Sequence, residues 1–254
     1  RPKRYAEIST RIMRGLTSIT PDVEVYSVDE AFLDMTHCQK IIRWPQAVAR
    51  KIKELILELS DLSCSIGISG DKTTAKYAAK QNKPDGLTII PPEKAEETLQ
   101  DVPVTELCGI AKGIGGFLNT HGVHTCGDMK KIPVSVLGQR FGNPGRRIWL
   151  MAQGKDPESV TTHIAGPKSI GHGKVMPPDT RDKETILVYL QHMSEKVSAR
   201  LRRHDLQASR FFIGIRSKYG WISSKMQTEY PTNDGQKIMR LCHNLIDQQW
   251  YDQG

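Results

Sequence analysis

No stretch of this sequence stays apolar long enough to cross a membrane. Its opening residues, Arg1-Pro2-Lys3-Arg4-Tyr5, lead into no apolar core or cleavage site of a secretory signal. Cysteine is sparse, scattered and odd in number (Cys38, Cys64, Cys108, Cys126, Cys242), which argues against a disulfide framework and for a reducing cytoplasm. A single cysteine among scattered histidines is a poor thiol nucleophile. The phosphate-cradling P-loop and the Gly-x-Ser-x-Gly elbow are both missing, as are internal repeats and low-complexity segments. There is no initiator methionine, so the chain is expected to be a fragment of a longer protein.

What remains is a chain of 254 residues, long enough for about two domains. Its hydrophobic content of 38% suffices for real cores. The net charge is +8, and residues 161–254 carry 14 Lys and Arg against 9 Asp and Glu. Such a surplus favours a polyanionic partner, although many basic proteins bind none.

The stretch Val23-Glu24-Val25-Tyr26-Ser27-Val28-Asp29-Glu30-Ala31-Phe32-Leu33-Asp34-Met35 stands out. Two runs rich in β-branched and aromatic residues flank adjacent carboxylates, the pattern of a hairpin. On a straight strand Asp29 and Glu30 would face opposite sides of a sheet; at a bend both can converge on its rim. Paired acids on a rigid edge repel unless something positive lies between them. A divalent metal carrying substrate phosphates is the natural candidate, because Mg2+ prefers hard oxygen ligands and takes few from protein. Read alone, Asp-Glu is equally an ordinary polar turn.

Along the chain, residues 3–19 predict an amphipathic helix with Ile8, Ile12, Leu16 and Ile19 on one stripe. A second helix follows Trp44-Pro45 with Val48, Ile52, Leu55, Ile56 and Leu59 in register. Residues 63–69 and 87–90 read as strands around a helix over 72–82, an alternation that describes an α/β or α+β layer. Lys83 sits on the turn before Pro84-Asp85-Gly86. An ammonium there can neutralise a triphosphate, or simply suit the end of a helix.

From residue 99 the texture shifts to short helices divided by Gly and Pro. The run 108–116 is a glycine-rich turn entering a helix that ends near residues 121–123, and a second short helix is expected around 126–131. A helix-hairpin-helix of this kind can offer backbone N–H groups to a phosphate; the glycines could equally let two helices approach closely. Cys108, His121, His124 and Cys126 match no standard zinc finger, and loop polarity accounts for them. Gly154-Lys155-Asp156-Pro157 reads as a linker. The last part predicts strand, helix, strand, strand, helix, with a helix over 183–204. Phe211, Ile213 and Ile215 share the inner face of the strand 207–217, while Arg210, Phe212 and Arg216 share the outer one. Lys225 lies with Ser223 and Gln227 on a polar face of the next strand. A basic outer face suits a nucleic-acid backbone, or is merely solvated.

Taken together, the chain resembles the Y-family (lesion-bypass) DNA polymerases of the bacterial polymerase IV/UmuC kind. The resemblance is carried by Tyr26 to Asp34, by Ser65-Ile66-Gly67-Ile68-Ser69, and by Lys76 through Lys83-Pro84-Asp85-Gly86. It continues in Cys108-Gly109-Ile110 and in Lys168-Ser169-Ile170-Gly171-His172-Gly173-Lys174. The order and spacing match over nearly the whole chain. The resemblance implies an α+β protein: a partial palm of mixed sheet and helices over 1–98, a helical thumb with helix-hairpin-helix over 99–160, and a βαββα little finger over 161–254.

It further implies template-directed DNA synthesis across damaged template, as in the response to DNA damage, by a DNA-directed DNA polymerase using two Mg2+ ions. Asp29 and Glu30 would hold metal, while Lys83 and Ser27 would serve the incoming dNTP. Gly109 and Gly113 would hold the duplex backbone of primer-template DNA. Lys168, Ser169, Gly171, His172 and Lys174, with Arg210, Arg216 and Lys225, would hold the template strand. The parent is expected to be a cytoplasmic monomer with no membrane partner, recruited by the sliding clamp through a tail beyond this chain.

Departures are expected too. The family opens with a strand bearing a further metal-binding Asp and a small fingers region, and nothing before Arg1 supplies them; Asp34 does not substitute. The fragment alone is therefore expected to be inactive. Ala111 replaces the second hairpin glycine, Pro178 stands where relatives often carry a basic residue, and the closing strand after residues 250–254 is lacking. The alternative is a non-catalytic DNA-binding protein that keeps only the thumb and little-finger contacts.

Overall fold

The computed structural model describes residues 1–38, 44–163 and 166–250, which divide into two compact units, residues 1–164 and 165–254. In the first unit, helix α1 (Pro2–Leu16) leads to a hairpin of strands β1 (Val23–Val25) and β2 (Ala31–Leu33), and helix α2 (Pro45–Ser60) packs alongside. Proline suits the first turn of α2, where its missing N–H would have had no partner. The apolar stripes expected from the periodicity do meet: Leu16, Ile19, Val23, Val48 and Ile52 form one buried cluster.

Next come β3 (Ile66–Ile68), α3 (Lys72–Gln81) and β4 (Leu87–Ile89), with β3 and β4 parallel and α3 as the crossover. Asp71 starts α3 by accepting the Thr74 N–H at 2.9 Å, an N-cap that satisfies one of the donors left over at a helix start. Gly67 lets α3 lie directly on β3: an added Cβ would sit 2.0 Å from the Ala75 carbonyl oxygen and 2.3 Å from the Ala79 nitrogen.

The rest of the unit is helical: α4 (Ala95–Leu99), α5 (Lys112–Thr120), α6 (Val134–Phe141) and α7 (Asn143–Met151). These enclose a second cluster that includes the fully buried Leu99, Leu118, Val123, Met129 and Leu137. The second unit stacks α8 (Lys183–Arg203) and α9 (Gly235–Gln249) with a long antiparallel pair, β5 (Ala208–Ser217) and β6 (Gly220–Thr232). Ile186, Leu190, Ile213, Ile215, Leu245 and Ile246 fill its core. Mixed helix and strand content thus agrees with the expected class.

Three expectations need correction. The first unit has no single mixed sheet among the described residues, because β1 hydrogen-bonds only β2 and β3 only β4. Apolar packing joins the two pairs instead, Ile66 lying against the cluster that holds Val23 and Leu33. The second member of the helix-hairpin-helix is a five-residue 3-10 turn, Gly127–Lys131. The segment entering that turn is already committed, Cys126 donating to Val102 O and Gly127 to Gln100 O, both at 2.8 Å. Finally, the described residues between 166 and 182 form no strand, so the second unit reads αββα rather than βαββα. Gly171, Gly173, Pro177 and Pro178 punctuate that segment, and glycine and proline both weaken strand pairing. Residues 251–254 lie outside the described residues.

The close approach at Gly67 is testable. Gly67→Ala should destabilise the first unit by about 1–3 kcal/mol in urea unfolding, since backbone rather than a mobile side chain blocks the new methyl. Gly116→Ala meets nothing within 4 Å and should be neutral or stabilising. Equal losses at both positions would mean that α3 does not depend on the contact.

Candidate functional site

The bend between β1 and β2 does what alternation on a straight strand forbids. Glu30 O accepts from the N–H groups of Tyr26 and Ser27, at 3.0 and 3.1 Å, which closes the turn. Ser27 Oγ then donates to Asp29 Oδ1 at 2.7 Å and lies 3.5 Å from Glu30 Oε2. Both carboxylates therefore gather around one hydroxyl at a solvent-facing rim.

Their counter-charge comes from α3. Lys76 Nζ lies 2.7 Å from Glu30 Oε2 and 4.2 Å from the centre of the Tyr26 ring, a cation held by a carboxylate and an aromatic face together. Tyr26 is braced edge-on against Phe32 at 5.2 Å. One turn earlier, Lys72 Nζ contacts both oxygens of Glu24, at 2.9 and 2.7 Å, and its side chain is only 8% exposed. Residues four apart share a helix face, so α3 presents a row of ammonium groups to the hairpin. Asp29, by contrast, has no ion pair among the described residues.

The structure thus brings Ser27, Asp29 and Glu30 together. Lys83 lies exposed in the turn beyond the end of α3, with no ion pair among the described residues. Asp34 is engaged elsewhere: its Oδ1 accepts the Thr36 N–H at 2.8 Å, and the hydrogen bonds from Thr36 lower its pKa. The sequence alone assigns no role to Lys72 or Lys76. Their four-residue spacing is visible in it, but the acids they face are set by the crossover from β3.

The expected linker at 154–157 is an anchor. The Asp156 carboxylate is fully buried, accepts a two-pronged contact from Arg147 Nε and Nη2 (2.8 Å each), and accepts the Thr73 hydroxyl at 2.6 Å. Arg147 also pairs with Glu158, and the Thr161 N–H donates to Glu24 at 2.7 Å. The first turn of α3 is thereby tied to α7 and to the segment that follows it.

Among the residues expected to meet nucleic acid, Gly109 takes a φ of 90° in the turn before α5, and Gly113 lies in the first turn of α5; an added Cβ would meet nothing within 4 Å at either. No side chain caps this helix start. Cys126 is packed in the apolar core, which pushes its thiol up to about 12, and no group of three or more His, Cys, Asp or Glu able to hold a metal occurs among the described residues.

In the second unit, Lys168, Ser169 and Lys174 are exposed, and Arg200 donates to Gly171 O. Burial and the neighbouring cations Arg200, His192, Lys196 and Lys174 lower the His172 pKa. Arg210, Arg216 and Lys225 stand exposed on the outer face of β5–β6.

Comparison with known proteins adds the following. The model of the impB/mucB/samB family matches residues 1–80, and that of the same family's C-terminal domain matches residues 167–254. DNA polymerase IV of Moorella thermoacetica is 34% identical over 97% of the chain, and DNA polymerase IV 2 of Bacillus subtilis is 30% identical over 98%. The chain spans 62% and 63% of the length of these two relatives. A solved Y-family DNA polymerase chimera matches with a TM-score of 0.79 and 25% identity, covering 98% of this chain and 71% of that one.

The Asp156 anchor predicts an acid response. Burial alone would raise its pKa; hydrogen bonds from Arg147, Thr73 and the Glu158 N–H outweigh burial and hold it below the ordinary value. A depressed native pKa contributes stability that is present above the unfolded value of about 3.9 and is lost as pH falls through the native one. Asp156→Asn should therefore lower stability at neutral pH by about 2 kcal/mol and make the decline below about pH 4 shallower. An unchanged slope in urea unfolding across that range would refute the role.

Proposed function

Because the chain belongs to the impB/mucB/samB family, and so to the polymerase IV-like Y-family polymerases, we propose that it forms part of the catalytic core of a DNA polymerase that copies damaged template. Asp29 and Glu30, gathered around Ser27 with Lys76 as counter-charge, are the observation that carries this reading. In this reading residues 1–98 are palm, 99–160 thumb and 161–254 little finger. The two strand pairs that share a core without sharing hydrogen bonds are then parts of one palm sheet.

The donor set fits a hard divalent ion. It offers carboxylate oxygens at an exposed rim, and the Lys76 ammonium already lies against one of them as a positive stand-in. Asp29 and Glu30 would hold a magnesium ion there, and the ion would supply charge stabilisation for attack of a primer 3′-oxygen on the α-phosphate with release of pyrophosphate. The protein's own groups do the rest. Ser27 orients Asp29 through its hydroxyl. Lys76 holds Glu30 in place and keeps the acid pair from repelling before substrate arrives. Lys83, exposed beyond the end of α3, meets the triphosphate of the incoming dNTP.

The uncapped start of α5 offers N–H groups to a duplex phosphate, and Gly109 and Gly113 leave the backbone open to it. Lys168, Ser169, Gly171, His172 and Lys174, with Arg210, Arg216 and Lys225, hold the template strand. A DNA substrate puts the enzyme with the chromosome; no helix among the described residues is long and apolar enough to cross a membrane.

One observation favours a second reading, a DNA-binding protein without synthesis: Glu30 already carries a cation, Lys76, on one of its oxygens, and so is held in a structural ion pair. The two readings separate in one experiment. The full-length protein that carries this chain, given Mg2+ and dNTPs, should extend a primer past an abasic site. Glu30→Gln should slow extension by about a thousandfold, the size of several kcal/mol of lost charge stabilisation, and leave primer-template affinity unchanged. Salt-sensitive DNA binding with no extension by the wild type would overturn the polymerase reading and leave the second.

A further inference from the structure

We propose that Lys53 is a positioning residue for the incoming nucleotide: it fixes the turn that carries Lys83 and takes the neighbouring Asp85 carboxylate out of play. The inference rests on reading Lys83 as the group that meets the triphosphate.

Lys53 lies on α2, 32 residues before the residue it grips. A lysine ammonium has three N–H donors and no acceptor. Three oxygens surround this one: the Cys64 carbonyl at 2.9 Å, the Asp85 carbonyl at 2.6 Å and Asp85 Oδ1 at 2.6 Å. The donors are thus fully used, and two of the three acceptors belong to the Lys83 turn. Asp85 is 61% exposed, and so open an ion pair adds little to global stability. What the contact changes is local.

The turn joins the end of α3 to β4. Asp85 takes a φ of 52°, in the left-handed region that Asp enters more readily than most residues. Gly86 follows, and an added Cβ there would lie 1.7 Å from the Asn82 carbonyl oxygen. Ser65 Oγ accepts the Gly86 N–H at 3.2 Å, which ties the exit of the turn to the start of β3. Lys53 adds the tie to α2, so the backbone that bears Lys83 is held from two elements. A cation on a fixed turn loses less freedom when a phosphate arrives than one on a loose loop. The charge balance points the same way. Asp85 lies two residues beyond Lys83. Unpaired, its carboxylate would draw the Lys83 ammonium to itself and repel a triphosphate. Held by Lys53, it leaves Lys83 as the free charge of the turn, exposed and without an ion pair among the described residues. A purely structural tie between α2 and the β3–β4 pair would give the same distances, and kinetics separate the two.

The test uses the full-length protein that carries this chain, with primer extension followed at varied dNTP concentration. Lys53→Ala should raise the KM for dNTP about tenfold, with kcat within about twofold of the wild type and primer-template affinity unchanged. Lys53→Arg, whose guanidinium reaches the same oxygens, should restore KM. Adding Asp85→Asn to Lys53→Ala should recover part of the loss, because the carboxylate left unpaired is then gone. In a Lys83→Ala background, Lys53→Ala should add nothing, since it acts through that lysine. A purely structural tie would lower the urea unfolding midpoint and spare KM. If Lys83→Ala raises KM and Lys53→Ala does not, or if their effects multiply, the positioning role is overturned while the polymerase reading stands. If Lys83→Ala leaves KM unchanged in an active enzyme, or the wild type extends no primer, the reading of Lys83 itself fails and this inference falls with it.

Discussion

Two carboxylates held side by side at a protein surface need compensating positive charge, and here a single helix supplies it. Lys76 meets Glu30 and Lys72 meets Glu24, both from one face of α3. Everything that places α3 therefore acts on the acid pair. Gly67 sets its distance from β3, Asp71 fixes where it starts, and Asp156 holds its first turn through Thr73. The burial of Asp156 is tolerated because Arg147 satisfies both of its oxygens; a lone buried carboxylate would cost far more than it contributes.

The hairpin and anchor of the first unit use charge differently from the β5–β6 face of the second. In the first, cations are matched to acids at 2.6–2.8 Å around the hairpin and the anchor, so the charge is spent on architecture. In the second, the cations of the β5–β6 face stand without ion pairs, among the described residues, beside exposed rings. The net surplus read from the last third of the sequence is thus available to a ligand rather than consumed internally.

Much of this is legible in the order of the amino acids. The β-branched runs on either side of Asp29-Glu30 mark the hairpin, and period-2 patterning puts Arg210, Phe212 and Arg216 on one face. Local composition misleads at Gly154-Lys155-Asp156-Pro157, where turn-forming residues suggest a linker. Burial there is decided by an arginine on α7, which composition does not reveal. The lysine row of α3 is visible as spacing, but its targets depend on how the crossover returns to β4. The expected strand near residue 170 is not formed. Its glycines and prolines weaken pairing, and Gly171 O is held by the Arg200 side chain rather than by a ladder.

The anchor also sets an order of assembly. Thr73 and Asp156 are 83 residues apart in sequence, whereas Lys72 and Glu24 are 48 apart. On a ribosome the hairpin and its lysines emerge well before the carboxylate that pins α3, and closing so long a loop costs entropy that only the finished contact repays. The contact that pins the first turn of α3 can therefore form only after residue 156 has left the exit tunnel, later in synthesis than the hairpin and its lysines.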